Sequence, residues 1–211
     1  MIDIEKIEKR TVQYFYNDGL SEIAIGLIFL VLGGYIFGQT IVPEGSPLNA
    51  VYSVLFVLVI ASSGFLVNRI LRFLKRRITY PRTGYLAYKK REPSPKRRLA
   101  AGIVGGVIAA LFTLLAIAPS VKALLPALNG LLLAFAVFLF ANKIGLVRFY
   151  ILSAASAVIG IAVTAAGVGD VKGISLYYGL FGAAMTLSGL ATLVVYLRKS
   201  ARADRENADA V

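Results

Sequence analysis

The chain has 211 residues, of which 58% are apolar and 16% charged, and its mean hydropathy is +0.75. Soluble domains carry about a quarter charged residues, and this chain has too few to cover a soluble surface of its size. A soluble globular enzyme, a coiled coil and a disordered tail protein are excluded, which leaves a polytopic membrane protein.

There are 23 Lys plus Arg against 11 Asp plus Glu, a net charge of +12. Cys is absent, which removes disulfides, thiolate metal sites and a Cys nucleophile. His is absent too, and with it the commonest general acid–base group and metal ligand. No metal and no cofactor is expected. The first residues are charged and amphipathic, without the apolar core and small-residue cleavage site of a signal peptide.

Residues 1–20 read as an amphipathic lead-in. Ile4, Ile7, Thr11, Tyr14 and Phe15 fall near one helical face, with Asp3, Glu5, Lys6, Lys9 and Arg10 largely elsewhere. That is the spacing of a helix lying along headgroups; a lipid or partner sensor is the more elaborate reading. Asp18 or Ser21 is placed to cap the first span, with Glu22 favourable near its positive end.

A hydrocarbon core of about 30 Å needs about 20 apolar residues in a helix. Six stretches qualify, at about 23–42, 50–67, 99–118, 123–142, 149–167 and 174–197. All are apolar all round, unlike the alternating strands of a β-barrel. The breaks between them are a Pro43 to Pro47 turn, Pro119 to Lys122, and Val168 to Gly173 with Asp170 and Lys172. Pro126 and Asn129 near the start of the fourth stretch leave a five-span or re-entrant alternative open. The predicted fold is an all-α membrane protein with six transmembrane helices and a short cytoplasmic β-hairpin-like loop. Its parts are the lead-in 1–20, a transmembrane hairpin 21–67, a basic loop 68–98, a four-helix transmembrane unit 99–197 and a tail 198–211.

Of the 23 Lys and Arg, 21 fall on one side of that topology, 12 of them in 68–98; Lys122 and Lys172 alone fall on the other. The positive-inside rule then places both termini and the basic loop in the cytoplasm of a plasma membrane. Inside the six stretches there is no Asp, Glu, Lys, Arg or His, which argues against a proton-coupled pump. The polar groups left are hydroxyls and amides, with Asn129 the most polar and Ser62, Ser63, Thr113, Ser153, Ser156, Thr164, Thr186 and Ser188 among the milder ones. Interhelical hydrogen bonds or bonds back to their own helix account for them more simply than a substrate site. Gly102/Gly106, Ser156/Gly160 and Gly179/Ala183 have small-xxx-small spacing and predict close helix packing. Tyr177 and Tyr178 at one end, with Tyr150 and Tyr196 at the other, suit aromatic belts.

The most distinctive segment runs Ile78-Thr79-Tyr80-Pro81-Arg82-Thr83-Gly84-Tyr85-Leu86-Ala87-Tyr88. Pro and Gly at its centre are turn residues, and the flanking Tyr-rich runs read as a hairpin. A helical extension of the second span with Arg69, Arg72, Lys75, Arg76 and Arg77 precedes it; Lys89-Lys90-Arg91 and Lys96-Arg97-Arg98 follow. The Tyr-Pro-Arg-Thr-Gly-Tyr element after a second span resembles one in uncharacterised prokaryotic multi-span membrane proteins. Asp18-Gly19-Leu20 before the first span is similar too. The resemblance implies a prokaryotic cytoplasmic membrane and no particular activity.

The loop can serve in three ways. It is a topology signal and a patch for anionic lipid headgroups, each cation near the surface being worth roughly 1 kcal/mol. It is a dock for an acidic protein partner, with Tyr anchors. Or it binds nucleic acid through interleaved cations and aromatics, the weakest of the three because such loops often serve orientation alone. Arg76, Arg77, Tyr80, Arg82, Tyr85, Tyr88, Lys89, Lys90 and Arg91 are the candidate lipid- or partner-binding residues.

No catalytic residue is assigned. The acids near span ends are Asp18, Glu22, Glu44, Glu92 and Asp170, with no His, Cys or phosphate loop to assist them. The expected role is a non-enzymatic accessory or regulatory membrane component. The alternatives are a small oligomeric transporter or channel with a polar path near Asn129, and a membrane-embedded transferase with Asp18, Glu22 and loop arginines around a cytoplasmic cleft.

Overall fold

The structure, a computed structural model, describes residues 13, 15–43, 45–78, 119–168 and 170–209. The side chains at 53, 57, 78, 119, 120, 170 and 201–209 are not among those described. The third predicted span at 99–118, the hairpin after Ile78 and most of the lead-in lie outside these residues.

Among the described residues every regular element is a helix. Five are long and apolar enough to cross a membrane: α1 (Leu20–Gln39), α2 (Pro47–Ile78), α3 (Leu125–Ile144), α4 (Val147–Ala165) and α5 (Asp170–Asp209). A single helical turn, Pro119–Lys122, precedes α3. Each follows one of the apolar runs. α1 begins three residues earlier than its run, so that Glu22 lies in its first turn. α2 continues through Arg69 and Arg76 to Ile78 as the expected extension.

Two positive-φ glycines mark sharp changes of direction. Gly145 (φ 75°) ends α3, its N–H bonded to the Ala141 carbonyl, and only Leu146 separates it from α4. Gly19 (φ 72°) precedes α1, where Asp18 Oδ1 accepts from Leu20 N at 3.2 Å. Asp18 thus satisfies one orphan N–H of α1 from a position before the N-cap.

The most extensive packing is between α1 and α5, followed by α3 with α4. Gly19 at the N-cap of α1 and Gly26 and Gly33 within it recur every seven residues, as do Ser175, Gly182 and Gly189 on α5. The two series meet antiparallel. A Cβ on Gly189 would stand 2.7 Å from Gly19 O, and one on Gly33 2.8 Å from Gly179 N and 3.0 Å from Ser175 O. Ser175 Oγ also donates to Gly33 O at 2.8 Å. Two helices in backbone contact at heptad spacing over 14 residues, about 21 Å, cross at a shallow angle.

The α3–α4 contact uses the shorter four-residue spacing. A Cβ on Gly130 would lie 2.8 Å from the Gly160 Cα, and one on Gly160 2.7 Å from Pro126 O. Ser153 donates to Ala134 O at 2.7 Å and Ser156 to Gly130 O at 2.9 Å. Hydroxyls here tie one helix to the next, as expected. Ser62, Ser63 and Thr186 instead bond back to carbonyls of their own helices.

Tyr177 departs from the aromatic-belt expectation. It is fully buried, stacked on Phe181, and its hydroxyl lies 2.7 Å from Ser156 Oγ. A phenol with a partner for its O–H can enter a core without penalty for the polar end. Tyr178 is also turned inward, stacked on Phe29, and receives a bond from Asn129 Nδ2 at 3.0 Å. α2 packs mainly on α1, through Tyr35 against Tyr52 and Phe56. Val54, Leu58 and Phe65 on other parts of α2 are exposed, the surface a helix presents to lipid.

These contacts fix which ends lie together. The start of α1, the end of α2, the end of α3, the start of α4 and the C-terminal part of α5 share one end of the bundle. Gln13 Nε2 donates to Ile144 O at 2.9 Å, and Arg148 donates to Tyr16 O. Lys75, Arg76, Arg77, Lys143, Arg148, Arg198 and Lys199 are all at this basic end, while Lys122 and Lys172 are at the other.

Candidate functional site

The basic end is held by two ion pairs that reach into the protein. Asp18 and Glu22 are one turn apart, and each is almost wholly buried. Each takes its cation from a different helix. Lys75 Nζ of α2 lies 3.1 Å from Asp18 Oδ2. It also donates to Phe15 O and sits 3.4 Å over the Phe15 ring. Arg148 of α4 places Nε 2.6 Å from Glu22 Oε1. That N–H is not aligned on the oxygen, so the contact is ionic rather than a directed hydrogen bond. Glu22 Oε2 accepts from Ser188 Oγ of α5 at 2.8 Å.

Local physics explains part of this. Glu22 in the first turn of α1 and Lys75 in the last turns of α2 both favour their helix dipoles. Arg148 does not. It stands in the first turn of α4, where the dipole is positive, and the Glu22 carboxylate offsets that repulsion. Around the pairs Tyr16, Phe140 and Phe149 form edge-to-face aromatic contacts with centroids 5.3–6.2 Å apart. These rings lower the local polarity, which makes an unpaired charge there expensive.

The site therefore joins the chain before α1 to α2, α4 and α5. Its two carboxylates are already engaged by cations. Asp18 and Glu22 do come together, with Lys75 and Arg148 rather than with the loop arginines that the transferase alternative needs. Asn129, where the transporter alternative looks for a polar path, is buried and bonded to Tyr178. Among the described residues no group of three or more His, Cys, Asp or Glu could hold a metal ion.

Of the candidate loop residues, Arg76 and Arg77 are described, and both are exposed. Arg77 lies over the Phe73 ring at 5.0 Å. Tyr80, Arg82, Tyr85, Tyr88, Lys89, Lys90 and Arg91 lie outside the described residues. Sequence reasoning missed Lys75 and Arg148 as partners, since both read as topology charges. The available signal was the i, i+4 spacing of Asp18 and Glu22 at the mouth of a span, two acids that need cations if buried. Comparison of the chain with family models, with curated proteins and with solved structures returns no match.

Proposed function

We propose that this is a six-span plasma-membrane protein, both termini and the 68–98 loop cytoplasmic, acting as a non-enzymatic accessory or regulatory component. Its basic loop contacts anionic lipid headgroups or an acidic protein partner. The observation that carries the reading is the division of labour at the end of α2. Lys75 turns inward to Asp18 and fixes the helix end, while its neighbours Arg76 and Arg77 stay exposed. The loop thus starts from an anchored point at the basic end with its first cations directed outward. Cations placed so, within a Debye length of anionic headgroups, each contribute roughly 1 kcal/mol.

The sixth span is supported by the positions of helix ends. α2 finishes at the basic end, and α3 starts at the opposite one. The chain between Ile78 and Leu125 has to pass from one end to the other, and 99–118 is an apolar run of the length needed. An odd number of crossings there puts both termini on one side.

The test uses the absence of Cys. Single Cys residues at Ser46, Ser94, Ser120 and Ala208 are labelled in intact cells with an impermeant thiol reagent. Labelling at Ser46 and Ser120 alone is expected; labelling at Ser94 overturns the topology. A variant with Arg76, Arg77, Arg82, Lys89, Lys90 and Arg91 all changed to Gln is expected to lose headgroup and partner contact. Unchanged anionic-lipid binding and unchanged co-purifying proteins overturn the role.

A further inference from the structure

A cavity of about 360 Å³ opens at the basic end beside the ion pairs. Its walls are Asn17 from the turn before α1, Arg148 from the start of α4, and α5 from Ala191 to Lys199. That volume is within the range of small-ligand sites, about 300–1,000 Å³. Its chemistry is one-sided. Arg148 and Lys199 bring two cations, Asn17 an amide, and no carboxylate is among the described lining residues.

Arg148 is positioned for a second task. Glu22 takes its Nε edge and the Tyr16 carbonyl takes one Nη2 proton. A guanidinium has five N–H groups, so three remain, on a side chain that is 18% exposed. The buried Glu22 holds the group in place from behind. Lys199 is exposed and forms no ion pair among the described residues. Thr192 Oγ1 donates to Ser188 O, so it closes the wall without competing for an anion's donors.

Depth and surroundings narrow the ligand. The apolar part of α5, Val171–Ser200, has 30 residues, about 45 Å of helix against a hydrocarbon core of about 30 Å. Its last turns, with Tyr196, Arg198 and Lys199, therefore reach headgroup level. From the cavity wall at Val195 and Ala191, Leu187 and Leu180 continue along the same helical face of α5, and they are 65% and 46% exposed. A cationic cradle at headgroup depth, continuous with an exposed apolar stripe, matches a phosphate joined to acyl chains.

We propose that this cavity binds the phosphate headgroup of an anionic phospholipid, whose acyl chains lie along Val195, Leu187 and Leu180 of α5. Arg148 and Lys199 grip the phosphate, and Asn17 donates to it or to the headgroup beyond. The site is distinct from the 68–98 loop and stands or falls separately from it.

The experiment is native mass spectrometry of the purified full chain, delipidated and titrated with equal dioleoyl phosphatidylglycerol and dioleoyl phosphatidylcholine. One phosphatidylglycerol is expected to stay bound in preference to phosphatidylcholine. Lys199→Glu reverses one cation, and Ala191→Trp fills the cavity without changing charge. Neither residue belongs to the ion pairs, so both variants are expected to elute as the parent does. Each is expected to lower phosphatidylglycerol affinity on the order of tenfold. A loop variant with Arg82, Lys89, Lys90 and Arg91 changed to Gln is expected to keep this lipid, which separates the site from the loop. Retention of the lipid by both cavity variants overturns the proposal. So does displacement of the lipid by glycerol 1-phosphate at equal concentration, which would assign the cavity to a soluble phosphate ester.

Discussion

Gly26 and Gly182 face each other across α1 and α5 so closely that a Cβ on either would stand 2.8 Å from the other's carbonyl oxygen. The neighbour in each case is backbone, which cannot swing aside. Gly182→Ala and Gly33→Ala are therefore expected to destabilise the protein by about 1–3 kcal/mol. Gly34 is the internal control, since a Cβ there meets nothing within 4 Å. Gly34→Ala is expected to be neutral or to stabilise by up to about 1 kcal/mol, because Ala is the better helix former. Reversible unfolding in detergent, read by circular dichroism, distinguishes the adjacent pair.

Removing one partner of a buried ion pair strands the other charge. Glu22→Gln and Arg148→Gln are each expected to cost about 3–5 kcal/mol. The double variant is expected to be less destabilised than the sum of the two, with a coupling energy of about 0.5–3 kcal/mol. A double-mutant cycle on unfolding free energies measures it. Additive losses would show that the 2.6 Å contact contributes nothing as a pair.

At the end of α2, three consecutive cations differ in what they hold. Lys75→Met is expected to cost about 3 kcal/mol or more, because Asp18 is left buried. Arg76→Met and Arg77→Met are expected to stay within about 0.5 kcal/mol, as exposed substitutions do. Raising the salt from 0.1 to 1 M shortens the Debye length from about 10 to about 3 Å. That change is expected to weaken lipid contact through Arg76 and Arg77 while leaving the Lys75 contribution nearly intact. Melting temperatures and vesicle-surface binding across a salt series separate the two.

Tyr177 spends its hydroxyl on Ser156, which in turn donates to Gly130 O. Tyr177→Phe removes one member of that chain and leaves Ser156 its carbonyl. The expected loss is about 1 kcal/mol. Tyr177→Ala, which also empties a site inside the core, is expected to cost at least 3 kcal/mol more. Thermal denaturation in the same detergent reports both.

The helices were legible because about twenty apolar residues without a charge have few other fates in lipid; α3 and α4 fall within two residues of their runs, while α5 continues twelve residues past its run to Asp209. The contacts were less legible. Gly19, Gly26 and Gly33 are visible in the chain, and so are Ser175, Gly182 and Gly189. Nothing in a single sequence says that the first helix pairs with the last, so the two series do not announce each other. Glu22 is legible as a helix-start acid but not as a buried one, since its cation and its hydroxyl come from α4 and α5. Tyr177 near a span end reads as an interfacial ring because the nearby Ser156 lies on another helix.

The partners along α1 are synthesised late. Ser188 is 166 residues beyond Glu22, a gap that translation at about 5–20 residues per second crosses in roughly 10–30 s. During that interval α1 has α2 beside it, but its glycine face and the Glu22 carboxylate wait for helices that the ribosome has not yet delivered. The last helix is thus the clasp of the whole assembly. A ribosome that stalls before α5 leaves an inserted chain whose α1 glycine face is bare and whose Glu22 lacks the Ser188 hydroxyl, the kind of product that membrane quality control recognises and removes.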